Sequence, residues 1–188
     1  MKNKFEFNEN TISATLIDEL YLWIAFEGVD SVSTIYKSSI FNPNTVYWNV
    51  DIVGDEITSL WQDTLYVYGS LDDDTNIGVR FLKTSPNSFS YYTIHSGINE
   101  KAIDLITDAT YVYFLTPGII SGENAKIVKY NKTSLAYVET IDLTTVFNAK
   151  KIDIDRSGNL YVLSDTNPVI LTKVSYSGGW SFTSYTLS

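Results

Sequence analysis

The 188-residue chain carries a formal net charge of −9 and contains one histidine and no cysteine. The lack of cysteine excludes disulfides and cysteine-based zinc sites, and the acidic balance argues against nucleic-acid binding, which needs a basic surface. No apolar stretch reaches the length of a membrane-spanning helix, and the polar first residues lack the core of a secretory signal. The compartment stays open, and a cytoplasmic or virion-associated protein is favoured over a secreted one.

A short tyrosine-centred motif occurs four times along the chain. Its copies are Leu20-Tyr21-Leu22-Trp23, Leu65-Tyr66-Val67-Tyr68, Thr110-Tyr111-Val112-Tyr113 and Leu160-Tyr161-Val162-Leu163. The tyrosines are separated by 45, 45 and 50 residues. A period of that length, built on strand-forming residues, is typical of a repeat architecture.

Each copy of the motif belongs to the same series of short apolar runs. The runs before the motif are 12–17, 57–61, 102–106 and 152–154. A polar turn follows each of them, with Asp18, Asp63 and Asp108 at matching offsets. The runs after the motif are 32–36 and 46–52, 79–82 and 89–94, 127–130 and 137–143, and 170–174 and 182–187. Each repeat therefore predicts four short antiparallel strands separated by turns.

Four such repeats predict an all-β fold, a four-bladed β-propeller in a single domain. The predicted blades cover residues 8–53, 54–97, 98–146 and 147–188. Core strands are expected near Leu20 to Phe26, Leu65 to Tyr68, Tyr111 to Leu115 and Leu160 to Leu163. These strands are apolar on both faces and must be covered on both, as in stacked blades, so Tyr66, Val67, Val112, Tyr113 and Val162 should be largely buried. The alternative is an open arc of four blades completed by oligomerisation.

The last repeat resembles a known type of blade. The segment Ile152-Asp153-Ile154-Asp155-Arg156-Ser157-Gly158-Asn159-Leu160-Tyr161-Val162 is similar to NHL-type and related bacterial propeller blades, whose first hairpin reads D-x-x-G-N-L-Y-V. The match is looser in the other three repeats, which lack the Gly-Asn turn. The resemblance implies the propeller fold and carries no activity, because such blades serve enzymes, lectins and scaffolds alike.

The sequence offers little for catalysis. Any Ser-His-Asp triad or histidine-bearing metal site would need His95, which follows a predicted outer strand and is expected to be a surface residue. Asp104 and Asp153 fall in first strands, but the other two repeats carry no such acid, so we expect rim acids or alternation partners. We predict that the protein is not an enzyme and needs no cofactor.

Two segments space their oxygen atoms like the start of a calcium-binding loop. In 153–158 the later bidentate acid is missing, so a Gly-Asn hairpin turn is predicted instead. In 72–76 the glycine comes one residue late, so a solvated loop is predicted. We therefore predict no metal site.

Long loops and acidic residues concentrate on one predicted rim, which we call the long-loop rim. The loops are 70–78 and 115–125, and long loops on a rigid scaffold often carry function. An acidic face favours a basic protein partner or a cation. The candidate docking residues are Asp30, Asp55, Glu56, Asp72, Asp73, Asp74, Glu100, Glu123 and Asp165.

These features predict a non-catalytic protein-binding or assembly scaffold. The partner would be another protein, with a homo-oligomer or a virion assembly among the options, and no nucleic acid or membrane. The Asn, Ser, Thr and Tyr richness suits a bacteriophage structural component. The alternative is a lectin-like propeller, with Trp48 and Trp180 as candidate platforms for sugar stacking.

Overall fold

The computed structural model describes residues 11–18, 20–27, 32–42, 45–53, 56–119 and 123–187. All regular structure in these ranges is β-strand. Sheet one contains β1 (Thr11–Ile17), β2 (Tyr21–Glu27), β3 (Val32–Ser39) and β4 (Val46–Val53). Sheet two contains β5 (Glu56–Gln62), β6 (Tyr66–Asp72), β7 (Asn76–Leu82) and β8 (Ser85–Thr93). Sheet three contains β9 (Asp104–Thr107), β10 (Tyr111–Thr116), β11 (Lys126–Asn131) and β12 (Tyr137–Asp142). Sheet four contains β13 (Ala149–Ile154), β14 (Leu160–Ser164), β15 (Val169–Tyr176) and β16 (Trp180–Leu187).

Each sheet is an antiparallel meander whose strands pair in chain order. The four sheets form the blades of a β-propeller, which confirms the predicted fold. The core strands also lie where the motif placed them, since β2, β6, β10 and β14 each contain one copy of its tyrosine. The period of the sequence therefore fixed both the number of sheets and the central strands of each.

Three apolar clusters hold successive sheets together. Trp23 and Ala25 of sheet one pack with Val67 and Phe81 of sheet two. The second cluster joins sheets two and three and includes Tyr68, Tyr92, Phe114 and Tyr130. The third joins sheets three and four and includes Tyr113, Leu115, Val162 and Val174. Aromatic rings contribute to all three clusters, most of all to the one between sheets two and three.

The motif strands are buried as predicted, with one exception. Val67, Val112, Tyr113 and Val162 are all buried. Tyr66 is only half-buried, because it opens the strand at the rim, where its ring lines a surface groove. The expectation that Tyr66 belongs to the core is therefore wrong.

The first strands of successive sheets pack side by side, β1 with β5, β5 with β9 and β9 with β13. Within the described ranges no comparable packing joins β13 back to β1. The described parts of the four sheets therefore form an arc in which sheets one and four lack the packing that joins successive sheets.

Asp104 ties three sheets together near the inner side of this arc. Its Oδ1 accepts a hydrogen bond from Ser59 Oγ at 2.5 Å, and its Oδ2 accepts one from the Ile152 backbone N–H at 3.0 Å. The side chain is buried. Of the two expectations for Asp104, that of a solvated rim acid is wrong, because the residue is buried. Its carboxylate accepts hydrogen bonds from both neighbouring first strands instead of from water.

Candidate functional site

The turn between the first two strands is built the same way in every sheet. Its aspartate accepts hydrogen bonds at Oδ1 from two backbone N–H groups, for example those of Leu65 and Tyr66 to Asp63 at 2.9 and 2.8 Å. Its Oδ2 accepts a third from an aromatic side chain on the core strand. The four pairs are Asp18 with Trp23, Asp63 with Tyr68, Asp108 with Tyr113 and Asp155 with Tyr161.

A basic residue of the third strand lies over the motif tyrosine in each sheet. Lys37 Nζ is 3.9 Å from the centroid of the Tyr21 ring, and Arg80 Cζ is 4.8 Å from that of Tyr66. Lys129 and Lys173 lie over Tyr111 and Tyr161 at 4.2 and 6.0 Å. Each tyrosine ring therefore has a cation over one face, an arrangement that stabilises both groups.

A second lysine crosses from one sheet to the turn of the preceding one. Lys83 of sheet two lies 3.8 Å from Asp18 Oδ2, and Lys132 of sheet three lies 2.6 Å from Asp63 Oδ2. Burial raises the pKa of Asp63, but the hydrogen bond from Lys132, with those from Tyr66, Tyr68 and Leu65, outweighs burial and lowers the pKa to about 2. These lysines therefore link blades through ionised turn aspartates.

These side chains line two neighbouring grooves on the rim opposite the long-loop rim, where the turns between the first and second strands lie. The first groove, between sheets one and two, has a volume of about 680 Å³. The second, between sheets two and three, has a volume of about 570 Å³. Both fall in the range of ligand pockets. The first is lined by Asp18, Leu20, Tyr21, Lys37, Gln62, Asp63, Thr64, Lys83 and Thr84. The second is lined by Asp63, Thr64, Leu65, Tyr66, Tyr68, Arg80, Asp108, Ala109, Lys132 and Thr133.

The two grooves carry the same chemistry at equivalent positions. Each has a turn aspartate, a tyrosine under a cation and a lysine from the following sheet. Each also has an exposed leucine at its edge, Leu20 or Leu65, with 53 % and 60 % of the residue accessible. They adjoin each other, because both are lined by Asp63 and Thr64. The arrangement offers apolar contact and hydrogen bonding in the same repeated pattern.

The charges in the grooves are largely matched inside the protein. Burial lowers the pKa of Lys37, and Asp18 acts against that shift. Burial raises the pKa of the Tyr68 hydroxyl, and its hydrogen bond to Asp63 raises it further, so this hydroxyl stays protonated as a donor. A partner therefore meets paired charges, hydroxyl groups and aromatic edges rather than a field of one sign.

The acids predicted on the long-loop rim are mostly engaged within the chain. Lys101 lies 2.7 Å from Asp72 and 3.5 Å from Asp74. Asp73 accepts hydrogen bonds from the backbone and side chain of Asn76. Glu56 pairs across the strands with Asp72, and burial, followed by the charges of Glu27 and Asp72, raises the pKa of Glu56. Asp30 and Asp55 lie outside the described residues.

Glu100 holds the long loop of sheet three in place. Its carboxylate accepts hydrogen bonds from the backbone N–H groups of Gly118 and Ile119 at 2.5 and 2.6 Å. The residue is 7 % exposed, so it offers little surface to a partner. A pocket of about 280 Å³ brings it together with Asp72, Asn99, Lys101, Ile103, Pro117 and Ile119.

The remaining two rim acids also have local partners. Glu123 accepts hydrogen bonds from Lys126 and from Asn99. The backbone of Asp165 is paired with Asn148, whose side chain donates to the Asp165 carbonyl at 2.5 Å. The structure places Asp72 at the end of β6 and Asp73 and Asp74 in the short turn before β7, so the prediction of a long loop over 70–78 is wrong, because both of its ends pair as strands. The other described acids are distributed among separate contacts.

Trp180, the one of the two candidate tryptophans whose side chain is described, is not displayed as a free platform. Trp180 Nε1 donates to Glu139 at 3.0 Å, and its ring lies 5.0 Å from that of Tyr176. Trp48 lies in β4, and its side chain is outside the described atoms. Trp180 therefore helps to join sheet four to sheet three.

The residues considered for catalysis or metal binding have structural contacts. His95 stacks on Tyr137, with ring centroids 3.7 Å apart. Asp153 accepts a hydrogen bond from the N–H of the next residue. The turn at 155–159 is closed by Asp155, and Gly158 adopts a φ of 81°. Across the described ranges, no group of three or more acids and histidines is arranged to hold a metal ion. In the same ranges, no helix has the length and apolar character needed to cross a membrane.

Sequence reasoning missed the grooves because their residues come from two repeats at a time. The signal was present in part: Asp18, Asp63 and Asp108 stand three residues before their tyrosines. Lys83 and Lys132 also stand three residues after Arg80 and Lys129. Tyr176 occupies the equivalent position in the last repeat. The lysine is therefore present only in the second and third repeats.

The comparisons with known proteins agree with the architecture. No family model and no curated protein sequence matches the chain. Among solved structures, virginiamycin B lyase from Staphylococcus aureus superposes with a TM-score of 0.70 at 10 % identity, over 94 % of this chain and 55 % of that one. A chain of the mitotic checkpoint complex gives 0.69 at 13 %, over 92 % and 50 %. YCF48 bound to D1 peptide gives 0.59 at 10 %, over 96 % and 55 %.

The matched proteins are β-propellers. At these identities the likeness shows the fold alone. The chain is thus similar in structure to known β-propellers and spans about half the length of those it matches.

Proposed function

We propose that the protein is a non-catalytic, protein-binding scaffold that holds an extended segment of a partner protein in the two grooves. The observation that carries the proposal is the repetition of one set of side chains in two adjoining grooves on one rim. Two of the matched structures are described as a protein complex and as a peptide-bound protein, which supports protein binding by propellers in general.

The chemistry of the grooves suits a peptide. Leu20 and Leu65 expose apolar surface at equivalent places, and such side chains serve as anchors for alternate apolar residues of an extended chain. The exposed Thr64 and Thr133 offer hydroxyl groups beside them, which pair with backbone amides. Binding of this kind should depend weakly on salt, because the groove charges are already paired.

A displayed library of random peptides would test the proposal. After selection of a binding peptide, its affinity is measured for a Leu20→Ser, Leu65→Ser double variant. We expect the affinity to fall by about tenfold or more, since two apolar contacts are lost. Both residues are exposed, so the variant should fold normally.

The matched control lies on the opposite rim and separates the two docking faces. Asp72, Asp73 and Asp74 changed together to Asn should leave the peptide affinity unchanged. The opposite result would be slower, salt-independent association of the triple variant together with normal binding of the leucine variant. In that case the partner docks on the long-loop rim, and the groove proposal is wrong.

The absence of catalysis is part of the proposal and has its own test. In a broad hydrolase screen, neither His95→Ala nor Asp153→Ala should abolish any activity that the wild type shows. Their contacts, to Tyr137 and to the Ile154 N–H, give each a structural role that supports this expectation. An activity abolished by either change would contradict it.

A structural role in a bacteriophage particle and a lectin activity remain predictions from the composition. A glycan array would address the second. Binding that survives Leu20→Ser, Leu65→Ser and is lost in Trp180→Ala would favour sugar recognition at the sheet-four side over peptide recognition in the grooves.

A further inference from the structure

The outer edge of each sheet is formed by its fourth strand. Within the described ranges, β4, β8, β12 and β16 each pair with a third strand on one side and with no strand on the other. Such an edge presents unpaired backbone N–H and C=O groups, and proteins commonly protect it with charged residues, proline or a bulge. A further blade before or after these four would stack on the face of a sheet, so it would leave these edges open.

Three of the four outer strands carry such protection. The pairing of β3 with β4 shifts register once, and β4 contains Asp51. The pairing of β7 with β8 shifts register twice, and β8 contains Pro86. The pairing of β11 with β12 shifts register once, and β12 contains Glu139 and Asp142. These features make each of the three edges irregular or charged and hinder the addition of another strand.

The outer strand of sheet four has none of these features. Its eight residues, Trp180–Leu187, include no charged residue and no proline. They pair with β15 over their whole length without a register shift. Every residue of β16 after Trp180 is exposed. β16 is therefore the outer edge that is best suited to accept another strand.

The chemistry of β16 favours a second copy of the same strand. The chain has a net charge of −9, so two copies repel each other over much of their surface, but β16 brings no charge to a contact. Two identical edges can pair antiparallel about a two-fold axis, the commonest symmetry of protein dimers. With the axis at Thr183, this residue lies opposite its own copy and Trp180 lies opposite Thr186 of the other copy. Thr–Thr pairs and pairs of an aromatic with a β-branched residue stabilise antiparallel sheets.

We propose that the protein forms a two-fold symmetric dimer in which the β16 strands of two copies pair antiparallel. The two fourth sheets then join into one continuous sheet, and the open backbone edge of each finds its hydrogen-bond partners in the other. No residue of β16 lines either groove, so the dimer stands apart from peptide binding. The contact is small beside the about 1,200–2,000 Å² of a stable interface, so the dimer forms reversibly.

Mass measurement in solution tests the proposal on the full chain. Light scattering after size exclusion, at concentrations from about 1 μM to about 1 mM, should show a mass that rises from one chain to two. The dimer fraction at a given concentration should increase with salt, because screening weakens the repulsion between two chains of charge −9 while the contact itself is uncharged.

A pair of charge variants tests the antiparallel contact of β16 with itself. Ser181 and Tyr185 lie opposite each other across the two-fold axis, and within sheet four they pair with the uncharged Ser175 and Leu171. Ser181→Asp, Tyr185→Asp places like charges across the contact, and so does Ser181→Lys, Tyr185→Lys, so each variant alone should be monomeric. An equal mixture of the two should form dimers again, because opposite charges then face each other.

Hydrogen exchange and a matched control locate the contact. Alternate N–H groups of 181–187 point away from β15, and their exchange in the wild type should become slower as the concentration rises. Asn87→Asp, Ser88→Asp adds two charges at exposed positions of β8, another outer strand, and should dimerise as the wild type does. Circular dichroism on each variant confirms that the sheets are folded.

Four outcomes would overturn the proposal. A wild type that stays monomeric over the whole concentration range does not pair with a second copy. A monomer whose outward β16 amides are already protected has this edge covered by its own chain. A dimer that resists both charge variants uses another surface. A mixture of the two variants that stays monomeric shows that β16 does not lie opposite β16.

Discussion

Gly78 of β7 faces the ring of Phe114 in the next sheet so closely that a Cβ atom there would lie 2.2 Å from Phe114 Cε1. The backbone oxygen of Gly69 lies 2.9 Å from the same position on the other side. Sheets two and three can approach this closely only because residue 78 has no side chain, a common reason for glycine inside a strand.

Gly78→Ala should therefore destabilise the protein strongly, by about 1–3 kcal/mol or more, because the added methyl group overpacks the interface. Denaturant unfolding measures the change. Gly179→Ala is the matched control, since nothing lies within 4 Å of a Cβ at that position, and it should be close to neutral. Phe114→Leu in the Gly78→Ala background should restore part of the loss, so the two effects should not add. Equal stability of the two alanine variants would contradict this packing.

The Asp63 carboxylate should make the stability of the protein depend on acid pH. Its folded pKa of about 2 is below the ordinary value of 3.8. A lowered pKa adds stability above the unfolded value, and this contribution is lost as the pH falls from about 4 toward 2. Asp63→Asn should therefore be less stable than the wild type at pH 7 and should lose less stability across that window.

Urea unfolding at several pH values would measure this effect. Asp74→Asn removes the same charge from a side chain that is 93 % exposed. In this control variant the free energy of unfolding should depend on pH as it does in the wild type. If the free energy of unfolding of Asp63→Asn changes with pH as much as that of the wild type, Lys132 and the turn N–H groups do not hold the carboxylate as described.

The fully buried valines of the motif should be costly to shorten. Val67 and Val112 are 0 % exposed and belong to different inter-sheet clusters. Val67→Ala and Val112→Ala should each cost about 1–3 kcal/mol, from lost apolar burial and a small cavity. Val138→Ala, at a residue that is 41 % exposed, should change the free energy of unfolding by less than about 0.5 kcal/mol. Unchanged denaturant midpoints for both buried positions would place these strands at the surface.

The Glu100 carboxylate should control the order of the backbone at Gly118 and Ile119. Glu100→Gln replaces one of the two accepting oxygens with a donor, so at least one of these N–H groups loses its partner. Hydrogen exchange at these two amides should become faster, while exchange in β10 stays as in the wild type. Glu123→Gln changes a neighbouring acid that binds side chains only, and it should leave both amides protected.

The fold could be predicted from the sequence because the motif repeats locally. Val67, Val112 and Val162 recur at the same place in the core strands, and the four turns repeat with them. β6 and β10 are covered on both sides as predicted, whereas β14 is buried on one face only. Tyr66 was misplaced because the motif continues into a buried run from Val67 to Leu71, whereas its own position at the rim depends on where the strand begins.

The candidate site was harder to predict for a physical reason. Lys132 contacts Asp63 across 69 positions of the chain, and nothing in either repeat alone shows that their side chains meet. Glu100 was counted as a rim acid because charged residues in loops are usually exposed, but its two backbone donors lie in a different loop. Pairings of this kind follow from the stacking angle of the blades, which the period does not encode.

The order of the packing has a consequence for how the chain folds during synthesis. Every sheet is made from one continuous segment, and its extensive contacts are with the sheets just before and after it. No strand described here has to wait for a partner encoded far downstream. Each new meander can therefore dock on the one completed before it as the chain leaves the ribosome, which keeps unpaired edges and bare apolar faces short-lived.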